Sequence, residues 1–295
     1  MKEFLITGAN GFLGKYIVDA VSNLGFRTLG LSGCDYNLDL SAMVPEFTES
    51  FSKVIHAAGL AHIQAGLNKS AQRFFEVNET GTANLLDSLE KVSPLPMSFV
   101  FISTVAVYGL DEGESIEETA PLNGSSPYAL SKINAENLVR KWGQKNNVNT
   151  LILRLPLIAG AHPPGNLGAM IRAIKRGFYF RIGDGSANRS MVLAEDVAGF
   201  IASCEAYSGT YNLTDGCHPS IKELDKAIAS RLNTKIKKIP SSLVKFAVRA
   251  GDFLPIIPIN SVKYKKLTSS LTFSDTKARR EIGWQSRSVV DNLEV

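Results

Sequence analysis

Apolar runs of strand length recur along this chain between longer helical patterns: EFLIT, RTLGL, KVIHAA, SFVFIST and TLILRL. A helical crossover obliges the strands it joins to run parallel. A parallel sheet covered by helices buries both sides of its strands, so they read as continuous Val, Ile and Leu rather than as an alternation. The chain is therefore expected to be α/β, a Rossmann-type doubly wound parallel sheet. Its 295 residues are long for one compact sheet, and a smaller, mostly helical C-terminal lobe is expected beside it. After Leu155 the pattern changes. AGAHPPGNLG is rich in Gly and Pro, AMIRAIKRG is helical and GDGSANRS opens a loop, whereas MVL, EDVAGFIASCEA and TYNLT read as a return to the sheet. From Gly216 short helices alternate with the Pro-broken LPIIPIN and the weak strand SLTFS.

The first strand runs into TGANGFLGKYIVDAV, which places Gly8, Gly11 and Gly14 between a strand and an amphipathic helix. The early glycines permit a tight turn and close backbone approach, and the last lets helix and strand pack. The helix start, with Phe12 and Leu13, offers free N–H groups and partial positive charge to a pyrophosphate. At the first βα junction this is the dinucleotide-binding arrangement. The second strand ends LGLSGCD, with Ser32 where an acidic residue would grip the adenosine ribose and Asp35 three residues later. No Arg or Lys follows closely enough to favour a 2′-phosphate, so of the NAD(P) forms NAD is preferred over NADP. NLDL follows too soon for a crossover helix, making Asp39 and Leu40 candidates for the adenine site. The expected dinucleotide-binding domain is 1–155 plus 189–215, and the expected substrate-binding lobe 156–188 plus 216–295.

Composition narrows the partners. Lys and Arg exceed Asp and Glu by 15 to 7 from Ile221 onward, against 17 to 21 before it. This basic lobe carries no aromatic-interleaved motif, so a solvated face is expected rather than a nucleic-acid site. Cys34, Cys204 and Cys217 form no C-x-x-C pair, and His56, His62, His162 and His218 show no metal-ligand spacing. No metal site is expected. The chain begins MKEFLITGAN without a signal-type apolar region and contains no membrane-length apolar run, so a cytoplasmic location is expected.

SSPYALSKINAENL begins as a helix should: Ser126 can cap and Pro127 suits the first turn. Tyr128 and Lys132 are four apart and share a face. A neighbouring ammonium, together with a positively charged nicotinamide, favours the phenolate and lowers the pKa of a phenol. Such a tyrosine can take a proton from a carbinol as hydride leaves the same carbon.

With these motifs the chain resembles the extended short-chain dehydrogenase/reductase family, in its NAD-dependent nucleotide-sugar epimerase/dehydratase branch, over nearly its whole length. TGANGFLG resembles the family's glycine turn, and VIHAAGLA, with Ala57, Ala58 and Gly59, its fourth-strand segment beside the cofactor. VNETGTANLL resembles the helix carrying the structural Asn, here Asn78, and YALSK supplies the Tyr and Lys. RSMVLAEDVA puts Arg189 where a diphosphate or ribose contact is implied and Asp196 at a helix start. Counting back from Tyr108 in STVAVYG, the resemblance implies that Thr104 is the catalytic hydroxyl and Ser103 its supporting neighbour. It implies a nucleotide-sugar substrate, UDP-linked, and a homodimer formed by paired helices.

Absences sharpen the reading. Relatives that eliminate water carry an Asp-Glu pair after the threonine, decarboxylating ones tend to carry a Glu, and epimerase-reductases place a Cys. Here those positions are Val105 and Ala106, which move no proton. The resemblance thus implies hydride exchange at one carbinol. GAHPPGNLG is similar to the substrate loop of galactose-type epimerases, with Asn166 and Leu167 at the nucleotide base, which favours 4-epimerisation. Leu157 in place of their substrate-directed Asn, and the early NLDL, favour a nucleotide-sugar 4-ketoreductase of deoxysugar biosynthesis as the alternative. A rival of another class is a catalytically idle NAD(P)-binding scaffold or regulatory subunit. Of the remaining candidates, Arg172 and Arg176 read as helix surface, His56 as a satisfied core residue, and DEGESIEE as a solvated loop or a gating lid.

Overall fold

The computed structural model describes residues 3–31, 38–61, 69–238, 249, 252 and 260–295. Ser32, Cys34, Asp35 and His62, and most of LPIIPIN, lie outside the described residues. The apolar runs form the strands β1 (Glu3–Thr7), β2 (Arg27–Leu31), β3 (Lys53–His56), β4 (Ser98–Thr104) and β6 (Asn149–Leu155), with the short β5 (Gly113–Ile116) between the last two in the chain. With β10 (Gly209–Asn212) they make a six-stranded sheet in the order β10-β6-β4-β3-β1-β2, with every neighbouring pair parallel. VIHAAGLA thus begins in the third strand of the sheet in chain order, because among the described residues 38–52 the chain forms turns and no strand. The order reverses beside β1, so that the chain leaves β1 and β3 in opposite directions. In an open α/β sheet the crevice at the C-terminal strand ends there is the expected ligand site.

Alternate side chains of the strands feed two cores. Phe4, Ile6, Val100 and Leu151 pack with Leu13, Ile17 and Val21 of α1 (Phe12–Asn23) and with Val197 and Ile201 of α6 (Ala194–Ser203). Leu5, Phe99, Phe101 and Ile152 pack on the other face, with Leu85 and Leu89 of α3 (Gly81–Leu89) and Ala135, Val139 and Trp142 of α4 (Pro127–Asn146). Lys53, buried in the sheet, donates to the Ile201 and Cys204 carbonyls at 3.1 and 2.8 Å, satisfying acceptors at the end of α6.

Between the strands that return to the sheet lie α5 (Gly165–Lys175), β8 (Phe180–Arg181) and β9 (Met191–Leu193). MVL returns as β9 but pairs with β7 (Leu157–Ala159) rather than with the six-stranded sheet. Leu167, Ile171 and Ile174 of α5 share a separate core with Leu224 and Ile228 of α7 (Ile221–Arg231) and with Val289 and Leu293. Ala278, Ile282 and Trp284, which follow Gly216 in the chain, pack into the main sheet's core. Among the described residues no helix is long and apolar enough to cross a membrane.

Candidate active site

The glycine turn is dictated by contact distances. Gly8 has φ +72°, and a Cβ there would lie 2.6 Å from the Ala58 nitrogen. A Cβ on Gly14 would fall 1.9 Å from the Gly8 carbonyl oxygen. Neither position accommodates a side chain, so turn, helix and β3 loop close on one another. Gly11 caps α1 without a side-chain acceptor, which leaves the first-turn N–H groups of Phe12, Leu13 and Gly14 facing the crevice. Gly11, Phe12, Leu13 and Gly14 share with Ala57, Gly59, Ser103, Thr104, Tyr128, Lys132 and Leu157 the lining of a cavity of about 370 Å³.

A directional hydrogen-bond chain holds the β3 loop. Thr82 Oγ1 donates to the Asn78 carbonyl at 2.6 Å, so it must accept from His56 Nε2–H at 2.9 Å. The other ring nitrogen then accepts from Thr7 Oγ1 at 2.6 Å, and Thr7 Oγ1 in turn accepts from the Ala58 N–H. Burial, reinforced by the Lys132 charge, pushes the imidazole down to about 3 and keeps it neutral. His56 is thus a satisfied core residue. The Asn78 side chain accepts from Leu60 N–H at 2.7 Å and donates to the Leu60 carbonyl and Ser131 Oγ, clamping the loop onto α4.

α4 starts where the Ser126 side chain accepts from Ala129 N–H, with Pro127 opening the helix. This start aims Tyr128 and Lys132 at the C-terminal end of β4. Thr104 is the last residue of that strand and the cap of a 3₁₀ turn, Val105–Tyr108. Its side chain hydrogen-bonds the Tyr128 phenol, but burial is the larger effect and pushes the phenol above its ordinary value. The lowering expected from Lys132 is not found: burial sets the direction, opposed by Thr104, while the Lys132 amine donates to the Ile102 carbonyl at 2.6 Å and sits 4.1 Å above the Phe101 ring. Burial also brings Lys132 down to about 7, opposed by the Glu136 carboxylate. A lysine near 7 suits acid–base work near neutrality, whereas the raised phenol starts in its protonated form.

Pro156 and Leu157 also line a second cavity, of about 500 Å³, with Val105, Asn166, Leu167, Tyr179, Phe180 and Arg189. Arg189 is turned onto the chain itself: it donates to the carbonyls of Asn188 (2.9 Å), Lys266 (2.7 Å) and Ser269, at the end of the helix Ser261–Thr268. Asp39 and Leu40 do not reach the first cavity. Leu40 packs in the core, and the Asp39 carboxylate accepts from Ser41 and pairs with Arg73 at 3.4 Å. Ser103 lines the cavity but donates its hydroxyl to Glu136. Arg172 and Arg176 are exposed on α5 and at its end. In DEGESIEE, Asp111 and Glu112 pair with Lys266 and Lys265 at 2.5 and 2.8 Å. The Asp196 carboxylate accepts from Arg287 at the start of α6.

Sequence reasoning missed the buried group behind the site, Glu136 with Arg154, Tyr108 and Asn212. A signal existed: an arginine inside the apolar strand TLILRL requires a buried counter-ion, and Glu136 lies four residues beyond Lys132.

Comparison with known proteins places this geometry. Residues 4–210 match the profile of the NAD dependent epimerase/dehydratase family, and the chain belongs to that family. It is an NAD(P)-binding enzyme of the extended short-chain dehydrogenase/reductase type, in a family of nucleotide-sugar enzymes. The chain is similar to an N-acetyl-alpha-D-glucosaminyl-diphospho-ditrans,octacis-undecaprenol 4-epimerase of Escherichia coli O157:H7, with 26% identity over 92% of this chain and 87% of that one. A UDP-glucose 4-epimerase of Thermus thermophilus in complex with NAD matches with TM-score 0.64 and 25% identity, over 81% of this chain and 86% of that one. RMD from Pseudomonas aeruginosa complexed with NADPH shares the fold, with TM-score 0.73 and 21% identity over 99% of this chain and 96% of that one.

Proposed function

We propose that the protein is a nucleotide-sugar 4-epimerase, working by hydride exchange at a single sugar carbon on a UDP-linked substrate. One observation carries the reading: in the lining of the two adjacent cavities, among the described residues, Tyr128, Lys132, Tyr179 and Arg189 are the titratable side chains, with no carboxylate, imidazole or thiol. Elimination across two sugar carbons needs an acid and a base in addition to the Tyr128–Lys132 pair, and the lining of the first cavity offers no such further groups among the described residues. The residues around the glycine turn fit a dinucleotide, because Gly8 and Gly14 let the turn, the helix and the β3 loop close on one another and the uncapped start of α1 faces the cavity beside them.

In this reading NAD(P), with NAD preferred, supplies the redox chemistry when bound. Gly11 to Gly14 hold its pyrophosphate, and Ala57 to Gly59 with Asn78 shape the wall beside it. Tyr128 takes the proton from the carbinol oxygen and returns it later. Thr104 orients that oxygen, and Lys132 supplies the positive charge that favours the phenolate. Asn166, Leu167 and Arg189 meet the nucleotide part of the substrate, with Arg189 exchanging its carbonyl partners for the diphosphate. Residues 1–155 and 189–215 serve the cofactor, and 156–188 with 216–295 the substrate. A homodimer through paired helices belongs to the same reading and is checked by light scattering.

Leu157 supports a second reading, a 4-ketoreductase, because this apolar side chain lines both cavities. A panel of UDP-hexoses and 4-keto sugars, followed by product analysis and by absorbance of the reduced dinucleotide, separates the two. Sugar conversion without net loss of NAD(P)H is expected. Stoichiometric consumption would establish the reductase instead, and no response to any sugar would overturn both.

A further inference from the structure

Tyr128, Lys132, Glu136 and Arg140 follow one another at intervals of four along α4 and form a single stripe. The first two line the reaction cavity. The third is fully buried one turn beyond, and the hydride exchange does not use it. Glu136 Oε1 accepts from Ser103 Oγ at 2.6 Å and from Arg154 Nε at 3.0 Å, and Oε2 accepts from Arg154 Nη2 at 2.7 Å and Arg140 Nη2 at 2.5 Å. Ser103 immediately precedes Thr104 on β4, and Arg154 is its register partner on β6. One carboxylate therefore ties the helix bearing the tyrosine and lysine to the strand bearing the threonine. Arg154 continues the connection to Tyr108 Oη at 3.0 Å, and Tyr108 donates to Asn212 on β10 at 2.7 Å.

We propose that Glu136, resting on the hydride-exchange reading above, is a positioning residue that locks the Tyr128–Lys132 face of α4 against the strand end carrying Thr104. An ion pair with side chains only 0% and 3% exposed gains little stability over apolar residues of the same volume, so stability alone is a weak account of it. Its placement gives it an electrostatic use. The groups facing Lys132 are Tyr128 and Glu136 on its own helix, the neutral His56 from β3, and the Phe101 ring and Ile102 carbonyl from β4. From the elements packed on the outer part of α4, Glu79 accepts from Asn134, and Arg73 is paired with Glu76 and Asp39. Glu136 is thus the negative charge that supports the Lys132 ammonium, while Arg154 and Arg140 face the carboxylate and Glu118 lies beyond Tyr108.

Glu136→Gln retains the shape and removes the charge. With the full chain, saturating dinucleotide and an accepted sugar, kcat is expected to fall about tenfold or more while KM stays within about threefold. The ascending limb of kcat against pH moves upward by about half a unit or more, because a less charged lysine favours the phenolate less. The single variant leaves Arg154 buried without its counter-ion, so Glu136→Gln combined with Arg154→Met controls for folding. The double variant is expected to regain thermal stability yet keep the lowered kcat and the displaced limb. Recovery of kcat and of the wild-type limb along with stability would overturn the proposal and leave a purely structural bridge. A wild type that converts no sugar removes the parent reading as well, whereas wild-type turnover with an unmoved limb in the folded variants removes this proposal alone.

Discussion

At the scale of single residues, the chemistry depends on how burial and partners set proton affinities. Tyr128 is raised by burial and Lys132 brought down to about 7, so near neutral pH the phenol starts protonated and the lysine is part ionised. Tyr128→Phe removes the proton carrier and little else. Turnover of the accepted sugar is expected to drop by about 10²-fold or more with dinucleotide affinity within about threefold, read by steady-state kinetics and fluorescence titration. His56 gives a separate pH signature. Its value in the folded protein is about 3, below the ordinary 6.5, so the unfolded chain binds more protons between those limits. Stability contributed by the neutral ring is complete above the ordinary value and is lost as pH falls toward the folded one. Denaturant titrations are expected to show a loss of about 3 kcal/mol attributable to His56 by about pH 4, absent in a folded His56→Gln variant.

Among elements, the strand–turn–helix unit that opens the chain and the helix α4 do most to place the site. Gly14→Ala puts a methyl carbon 1.9 Å from the Gly8 carbonyl, so α1 must move away from β1. Dinucleotide binding is expected to weaken by at least about tenfold and the melting temperature to fall, since overpacking of this kind costs about 1–3 kcal/mol; calorimetric binding and thermal unfolding check both. These elements were legible before the fold was known. EFLIT, RTLGL and SFVFIST became β1, β2 and β4 over the same residues, because strands buried on both faces carry an uninterrupted apolar signal. MVL was legible as a strand but its partner was not: a run of three residues says nothing about which edge it joins, and β9 pairs with β7.

For the whole molecule, distant segments complete the sheet's core. Trp284, 1% exposed, packs edge-to-face on Phe200 with ring centroids 5.5 Å apart and donates from Nε1 to the Thr214 carbonyl at 2.9 Å. Trp284→Ala is expected to destabilise by about 3–5 kcal/mol in denaturant unfolding, although it lies far along the chain from the cofactor turn. The surface pairs Lys265–Glu112 and Lys266–Asp111 join equally distant segments, but as exposed ion pairs they contribute little to stability.

By itself the sequence determined the class of sheet, the glycine turn and the tyrosine–lysine face, since each rests on local periodicity, on sterics at single positions or on residues four apart in one helix. Only the tertiary structure decided which partners the polar and charged side chains take. Arg189 faces three carbonyls, Ser103 gives its hydroxyl to Glu136, Asp39 turns to Ser41 and Arg73, and Arg154 finds its carboxylate on α4. Such pairings depend on which side chains meet once the helices close on the sheet, and no spacing along the chain encodes that meeting.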